Sequence, residues 1–162
     1  MDLEIILQLV LAVVLGTIVG FEREYRQKAA GLRTHAFICL GATIFTIISY
    51  EGFKQFMETT NLDPSRLAAQ VVIGIGFIGA GVIMHRKGKI EGVTTASGIW
   101  MAAATGLALG CKMYELALIS TLLVVLLFVA LRKFEIWLNK RTGKKRRIAN
   151  KDNSKEQELR ML

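Results

Sequence analysis

The feature that most constrains this chain is a run of eighteen uncharged residues at 67–84, which begins shortly after Asp63-Pro64. At about 1.5 Å of rise per residue, a helix of this length crosses most of a ~30 Å hydrocarbon core. The run contains GIGFIG at 74–79, which matches the G-x-G-x-x-G dinucleotide fingerprint. That fingerprint requires a preceding strand and a soluble helix after it, so the apolar setting favours a membrane helix instead.

Four more apolar runs flank this one, and together they predict the fold class. We expect an all-α, polytopic membrane helix bundle of five transmembrane helices in a domain covering residues 1–131, followed by a basic tail at 132–162. The tail is expected to lie along the membrane interface and then become disordered. The five helices are predicted at about residues 3–21, 36–50, 67–84, 93–110 and 116–131.

The charges of the loops predict the orientation of the bundle. The tail carries eleven Lys or Arg against four acids, whereas residues 1–131 carry ten against nine. Loops 22–35 and 85–92 add seven basic residues on the same side of the membrane as the tail, and the opposite side has three. The positive-inside rule then places the N-terminus outside and the C-terminus in the cytoplasm.

Glycines recur inside the predicted helices and indicate close helix packing. Because lipid gives helices no hydrophobic reason to associate, small residues that allow close backbone approach supply the attraction. The third helix has small residues on two faces, so we expect it to lie at the centre of the bundle. In the first helix, Gln8 is expected to face protein, since an unpaired amide in lipid is costly. The candidate packing glycines are Gly16, Gly20, Gly74, Gly76, Gly79, Gly81, Gly106 and Gly110.

Two groups of polar residues at the third and fourth helices form a candidate polar path or partner site. Buried polar groups in membrane spans often mark a pathway or a partner. The alternatives are that the ionisable groups reach the interface and that the hydroxyls bond to their own backbone. The candidate residues are Asp63, Arg66, Gln70, Thr94, Thr95 and Ser97.

A charged cluster is predicted at the cytoplasmic ends of the first two helices. It offers a cytoplasmic mouth or a partner-binding surface, and the alternative is charge that only sets the orientation. Its members are Glu22, Arg23, Glu24, Arg33 and His35.

The sequence contains no pattern that indicates catalysis or a cofactor. No nucleophile–base pair, nucleotide loop or zinc spacing is present, so we expect no enzyme and no cofactor. The metal question stays open, since a carboxylate such as Asp63 suits Mg²⁺. The KKRR run at 144–147 comes soon after a span, so it favours anionic lipid over nucleic acid.

Five motifs occur together in this chain: GFERE at 20–24, AGLRTH at 30–35, DPSRLAAQVV at 63–72, GIGFIGAG at 74–81 and GVTTAS at 92–97, the last followed by Trp100. In combination they resemble the MgtC/SapB family of bacterial inner-membrane proteins. The resemblance covers about residues 1–130. It implies a multi-pass protein of the inner (plasma) membrane linked to growth at low magnesium, survival inside macrophages and, for some members, restraint of the proton-driven ATP synthase. Virulence-type members carry a soluble C-terminal domain resembling the ACT fold, for which the 31 residues after 131 are too few.

Two functions remain open from the sequence. The first is a regulator that binds another membrane protein and is linked to magnesium or ion homeostasis. The second is an oligomeric transporter or channel for a cation (Mg²⁺ or H⁺) or a small solute, with a path near helices three and four. The expected partners are the lipid bilayer, a second copy of the chain in a homo-oligomer (a dimer being favoured) and a membrane protein.

Overall fold

The structure, a computed structural model, describes residues 3–54, 63–86 and 89–159. The side chains of Leu67, Arg86 and residues 142–159 are excepted. This part of the chain contains five helices and one two-stranded hairpin. In chain order they are α1 (Leu3–Tyr25), α2 (Leu32–Ile47, continued by a π-helical turn at Ile48–Gly52), α3 (Ser65–Gly81), β1 (Met84–Arg86), β2 (Lys89–Glu91), α4 (Val93–Gly110) and α5 (Tyr114–Leu159).

The predicted fold class, an all-α membrane helix bundle, is confirmed. Four helical segments are long and apolar enough to cross a membrane: Leu3–Tyr25, Leu32–Gly52, Val93–Gly110 and Tyr114–Arg141. The fifth helix, α3, has 17 residues, which is about 25 Å of helix. The orientation of the termini stays a prediction.

The third helix is shorter at its C-terminal end than the sequence predicted. It ends at Gly81, and Met84 instead begins an antiparallel hairpin in which Met84 pairs with Glu91 and His85 with Ile90. Gly92 then turns the chain into α4 with φ of +94°, and a Cβ on it would overlap the carbonyl of Val82. Only glycine adopts this conformation readily, so the local fold depends on that residue.

The C-terminal segment is helical as far as it is described. The structure continues α5 as one helix to Leu159, and the expectation of an interfacial stretch followed by disorder after residue 131 stays a prediction. The segment has a physical reason to be helical, because it has no proline and is rich in Lys, Arg, Glu and Leu, which are good helix formers. Residues 160–162 of the predicted tail lie outside the described residues.

The helix at the centre of the packing is α2, and not α3 as the small faces of α3 suggested. A Cβ on Gly16 of α1 would lie 2.7 Å from the carbonyl oxygen of His35, and one on Gly20 would lie 2.7 Å from the Cα of Leu32. On the other side of α2, a Cβ on Gly106 of α4 would overlap the carbonyl of Cys39 and lie 2.8 Å from the Cβ of Ala42. A Cβ on Gly110 would overlap the side chain of Thr46. Glycine at these four positions therefore allows α1 and α4 to approach the α2 backbone directly.

The core fills the space between these helices with small and branched side chains. One cluster joins α2, α3 and α4, and the other joins α1, α2, α4 and the start of α5. The buried members of the first are Ala30, Ile38, Ala42, Ile75, Ile99, Ala102 and Ala103, and those of the second are Ala12, Leu15, Cys39, Ala108, Leu109 and Ala117. The chain separates into two compact units, Met1–Val125 and Leu126–Leu162. The clusters, and the sites described next, belong to the first unit.

Candidate functional site

A buried ion-pair cluster lies where α1 ends and α2 begins, and we call it the α1–α2 junction (Glu22, Arg23, Arg26, Gly31 and His35). Helix α1 extends past the predicted end at residue 21 to Tyr25, so Glu22 and Arg23 are helical. The Nε of Arg23 donates to Oε2 of Glu22 at 2.6 Å, and the Nε of Arg26 donates to Oε1 at 3.3 Å. Glu22 and Arg23 are only 8% and 4% exposed. Such buried charges are tolerated because each is paired.

His35 completes the junction from the first turn of α2. Its Nδ1 lies 2.9 Å from the carbonyl oxygen of Gly31, and since a carbonyl only accepts, Nδ1 carries the proton. The side chain is fully buried, and its Nε2 has no hydrogen-bond partner among the described residues.

The other members of the predicted charged cluster have different surroundings. A carboxylate oxygen of Glu24 accepts the backbone N–H of Leu32 at 3.2 Å, which satisfies one of the free donors at the start of α2. Arg33 in the first turn of α2 is exposed, as are Tyr25 at the end of α1 and Lys28 in the connection between the helices. The structure therefore gathers Glu22, Arg23 and His35 inside the protein and leaves Arg33 at the surface.

The residues of the predicted polar path fall into two separate groups. Asp63, Arg66 and Gln70 are exposed at the start of α3. The Asp63 carboxylate accepts the N–H of Ser65 at 2.9 Å. Hydrogen bonds from the side chain and the backbone of Ser65 hold the pKa of Asp63 below its usual value.

The three hydroxyl-bearing residues of the predicted path lie at the start of α4. Thr94 and Ser97 are exposed, the Ser97 hydroxyl donates to the Val93 carbonyl at 3.0 Å, and Thr95 is buried. Gly79, near the end of α3, is the residue that faces Ala96, because a Cβ on it would lie 3.6 Å from the Cβ of Ala96. Gln70 lies nine residues before Gly79, about 14 Å along the helix. Within one chain the two groups do not meet.

A polar cavity at the opposite end of α1 from the junction was not predicted from the sequence, and we call it the Glu4–Lys112 cavity. Lys112 donates to Oε2 of Glu4 at 2.7 Å, and the hydroxyl of Tyr114 donates to Oε1 at 3.3 Å. The bond to Glu4 raises the pKa of Lys112. The cavity measures about 220 Å³, and its lining residues are Glu4, Ile5, Gln8, Ile47, Tyr50, Glu51, Gly110, Cys111 and Lys112.

Gln8 forms the floor of this cavity, and its orientation was predicted correctly. It is 1% exposed, and its amide donates to the carbonyl of Leu109 at 2.7 Å and to that of Gly110 at 3.3 Å. The pairing of Glu4 with Lys112 was missed because the two residues are 108 positions apart. The available signal was Lys112 itself, the single basic residue in a short loop predicted on the same side as the N-terminus.

The described residues contain no group of three or more His, Cys, Asp or Glu that could hold a metal ion. Both cysteines are free, Cys39 buried in the bundle and Cys111 exposed beside the Glu4–Lys112 cavity.

Comparison with known proteins places the chain in a family. The model of the MgtC family matches residues 9–137. The chain belongs to the MgtC family. This MgtC-family chain is 47% identical over 133 residues to a protein of Escherichia coli K12 named "Putative magnesium transporter YhiD", covering 79% of the chain and 62% of the relative. No solved structure matches the chain.

Two further relatives extend the comparison. An uncharacterised protein of Haemophilus influenzae is 38% identical over 143 residues, which are 86% of the chain and 60% of that protein. "Protein MgtC" of Salmonella typhimurium LT2 is 38% identical over 157 residues, which are 94% of the chain and 65% of that protein. The chain thus spans less than two thirds of the length of each of these relatives. One of these three relatives is named as a putative transporter and another as MgtC, and none carries the name of an enzyme.

Proposed function

We propose that this MgtC-family chain is a multi-pass protein of the bacterial inner membrane that regulates another membrane protein in magnesium homeostasis, without catalytic activity of its own. The observation that carries the proposal is the closed packing of α1 and α4 on α2. At Gly16 and Gly106 the neighbouring α2 backbone occupies the space of a side chain. A single chain packed in this way is better suited to presenting surfaces than to conducting an ion between these three helices.

The interior polar groups support the same conclusion. The hydroxyl of Thr43 bonds to the carbonyl oxygens of Cys39 and Gly106, each at 2.9 Å, and so it links α2 to α4. The hydroxyl of Thr46 donates to the carbonyl of Ala42 at 2.8 Å. Both hydroxyls are fully buried and donate to carbonyls inside the bundle, which suits helix packing better than an open ion path.

We assign the protein surface that covers the α1–α2 junction to the partner. Its buried ion pairs and the Glu24 cap fix the connection between the two helices, and Tyr25, Lys28 and Arg33 are exposed on or next to this connection. The guanidinium of Arg26 lies over the Tyr25 ring, and Tyr and Arg are enriched at protein interfaces. The partner would carry acidic residues close to its own membrane boundary. The relatives named for magnesium transport and as MgtC support the link to magnesium.

A photo-crosslinking amino acid at position 25 tests this assignment in native membranes. The matched control carries the same amino acid at Leu118, which is 51% exposed on the apolar part of α5. We expect a discrete adduct with one membrane protein from position 25, lost when Arg33 is replaced by Glu, and no such adduct from position 118. Adducts that are identical at both positions, or adducts with only the chain itself, would contradict a regulatory partner at this surface.

An oligomeric transporter is the second candidate, and the exposed amide of Gln70 in α3 favours it. An amide facing lipid alone is costly, so copies of the chain that placed Gln70 in a shared pathway would remove that cost. The smallest such assembly is a homodimer. Proteoliposomes loaded with a Mg²⁺ or pH indicator test it directly. Flux in the wild-type protein that is lost in Gln70→Leu would support transport, and the absence of flux under a Mg²⁺ or a proton gradient would exclude it for those ions.

A further inference from the structure

An open groove runs between α2 and α3, and the proposed function does not use it. Its volume is about 450 Å³, and Gln70 is the one polar side chain among its ten lining residues. A Cβ on Gly41 or on Gly74 would meet no described atom within 4 Å, so these two glycines leave the groove open. The lining residues are Phe37, Ile38, Gly41, Ala42, Phe45, Gln70, Val71, Gly74, Ile75 and Ile78.

One end of the groove is marked by the amide of Gln70, and a cation, Arg66, lies beyond that end on the same face of α3. Gln70 makes no hydrogen bond to any described residue, and Arg66, one helical turn earlier on the same face, makes no ion pair within the described part of the chain. Asp63 is the nearest acid in sequence, and the charge of Arg66 helps to lower the pKa of its carboxyl, but the two side chains form no ion pair among the described residues. The guanidinium and the amide are therefore both available to a ligand.

The depths of these two residues match the polar layer of a bilayer. The apolar part of α3 begins at Ala68, so Arg66 lies just outside it. Gln70 is four residues further along, about 6 Å deeper. The headgroup and interfacial layer of one leaflet is roughly 5–7 Å thick, so a phosphate level with Arg66 puts the glycerol esters near Gln70. Below Gln70 the lining is apolar as far as Ile78, about 12 Å further along the helix.

We propose that the α2–α3 groove binds one phospholipid. Arg66 pairs with the phosphate, the Gln70 amide donates to an ester carbonyl, and one acyl chain fills the groove over Gly41 and Gly74. Each group of the lipid meets a group of matching chemistry, and the Gln70 amide gains an acceptor that the described chain does not supply. Such a lipid would fix α3, which lacks the close glycine contacts of the other helices, against α2.

A second copy of the chain fits this groove less well. A two-fold axis along the membrane normal brings the same patch of both subunits together. A dimer formed at this groove would thus bring two Arg66 side chains close to each other, and like charges there repel each other. A phosphate supplies the opposite charge instead.

Native mass spectrometry tests the proposal. The full chain is released from detergent with added dioleoyl phosphatidylglycerol or dioleoylglycerol. The two probes share the esters and acyl chains, and only the first has a phosphate. Gly74→Leu and Gly41→Leu place a branched side chain in the groove at positions where the added Cβ meets no described atom within 4 Å, and Arg66→Gln removes the charge. Gly76→Leu is the matched control, because Gly76 also faces open space but does not line the groove.

We expect one phosphatidylglycerol per chain in the wild type and in Gly76→Leu, with affinity lowered about tenfold or more in each groove-filling variant. Arg66→Gln should lower the affinity for phosphatidylglycerol by about tenfold, as for loss of a charge-assisted hydrogen bond, and leave that for dioleoylglycerol unchanged. Equal binding in the wild type and Gly74→Leu would overturn the proposal. If Gly74→Leu converted a wild-type dimer to a monomer without any change in bound lipid, the groove would bind a second copy of the chain. That result would also overturn the proposal. Both results are independent of the crosslinking experiment, since neither involves the α1–α2 junction.

Discussion

The glycines of α1 and α4 and those of α3 look alike in the sequence, yet they have different surroundings in the structure. Gly16, Gly20, Gly106 and Gly110 lie against the backbone or side chains of α2, whereas a Cβ on Gly74, Gly76 or Gly81 would meet no described atom within 4 Å. The first set holds three helices together. The second leaves α3 with an open surface toward the membrane.

The glutamines of α1 and α3, each within an apolar helix, show the same difference. Gln8 of α1 is 1% exposed and donates to two backbone carbonyls of α4, whereas Gln70 of α3 is exposed at the mouth of the groove. The comparison teaches that α1, α2 and α4 form the fixed part of this bundle. The α3 helix is the part that remains available to lipid, to a partner or to a second copy.

The largest expected effect is in the fixed part, at the buried ion pair. Replacing Arg23 by Met should lower the free energy of unfolding by about 3 kcal/mol, because Glu22 stays buried and only the more exposed Arg26 still pairs with it. Arg33→Met is the control, since Arg33 is exposed, and should change it by less than about 0.5 kcal/mol. Denaturant titration in detergent, followed by tryptophan fluorescence, measures both. Equal effects would show that the junction is not buried as described.

An intermediate effect is expected from the matched pair of glutamines. Gln8→Leu should destabilise the chain by about 1–3 kcal/mol, since the carbonyls of Leu109 and Gly110 both lose the buried amide, and the Leu109 carbonyl keeps the backbone N–H of Lys112. Gln70→Leu should cost less than about 0.5 kcal/mol in lipid-free detergent, because no described residue depends on its amide. The same titration compares them. A larger loss for Gln70→Leu would mean that α3 contains the more important amide.

The smallest effect is expected at the open glycine outside the groove. Gly76→Ala should leave the free energy of unfolding unchanged or raise it by up to about 1 kcal/mol, because alanine is the better helix former and the added methyl group has free space. Thermal unfolding in the same detergent checks this value. A loss of more than about 1 kcal/mol would indicate that another surface covers this face of α3.

Much of the fold could be predicted because it depends on local composition. The apolar runs located all five helices, and the bounds of α4 agree with residues 93–110. The ends of α3 and α5 were less predictable. The residues after Gly81 pair as a hairpin across a turn, and the basic segment after 131 extends a helix that has already begun.

The neighbours of each helix could not be predicted in the same way. Periodicity shows which residues share a face, but it does not show which helix lies opposite, so the small faces of α3 suggested a central position that α2 occupies. At the candidate sites, Glu22, Arg23 and His35 were named from a local cluster of charges. The contact of Glu4 with Lys112 depends on how α1, α4 and α5 are arranged, and the lone basic residue in its loop indicates only that the two share one side of the membrane.

The most direct test of this account compares Gly106→Ala and Gly74→Ala by unfolding in the same detergent. A methyl group on Gly106 would overlap the carbonyl of Cys39, and one on Gly74 would meet no described atom within 4 Å. We predict a loss of about 2 kcal/mol or more for Gly106→Ala and no loss for Gly74→Ala. Equal losses, or a larger loss at Gly74, would contradict the assignment of α2 as the packed centre and of α3 as the open helix.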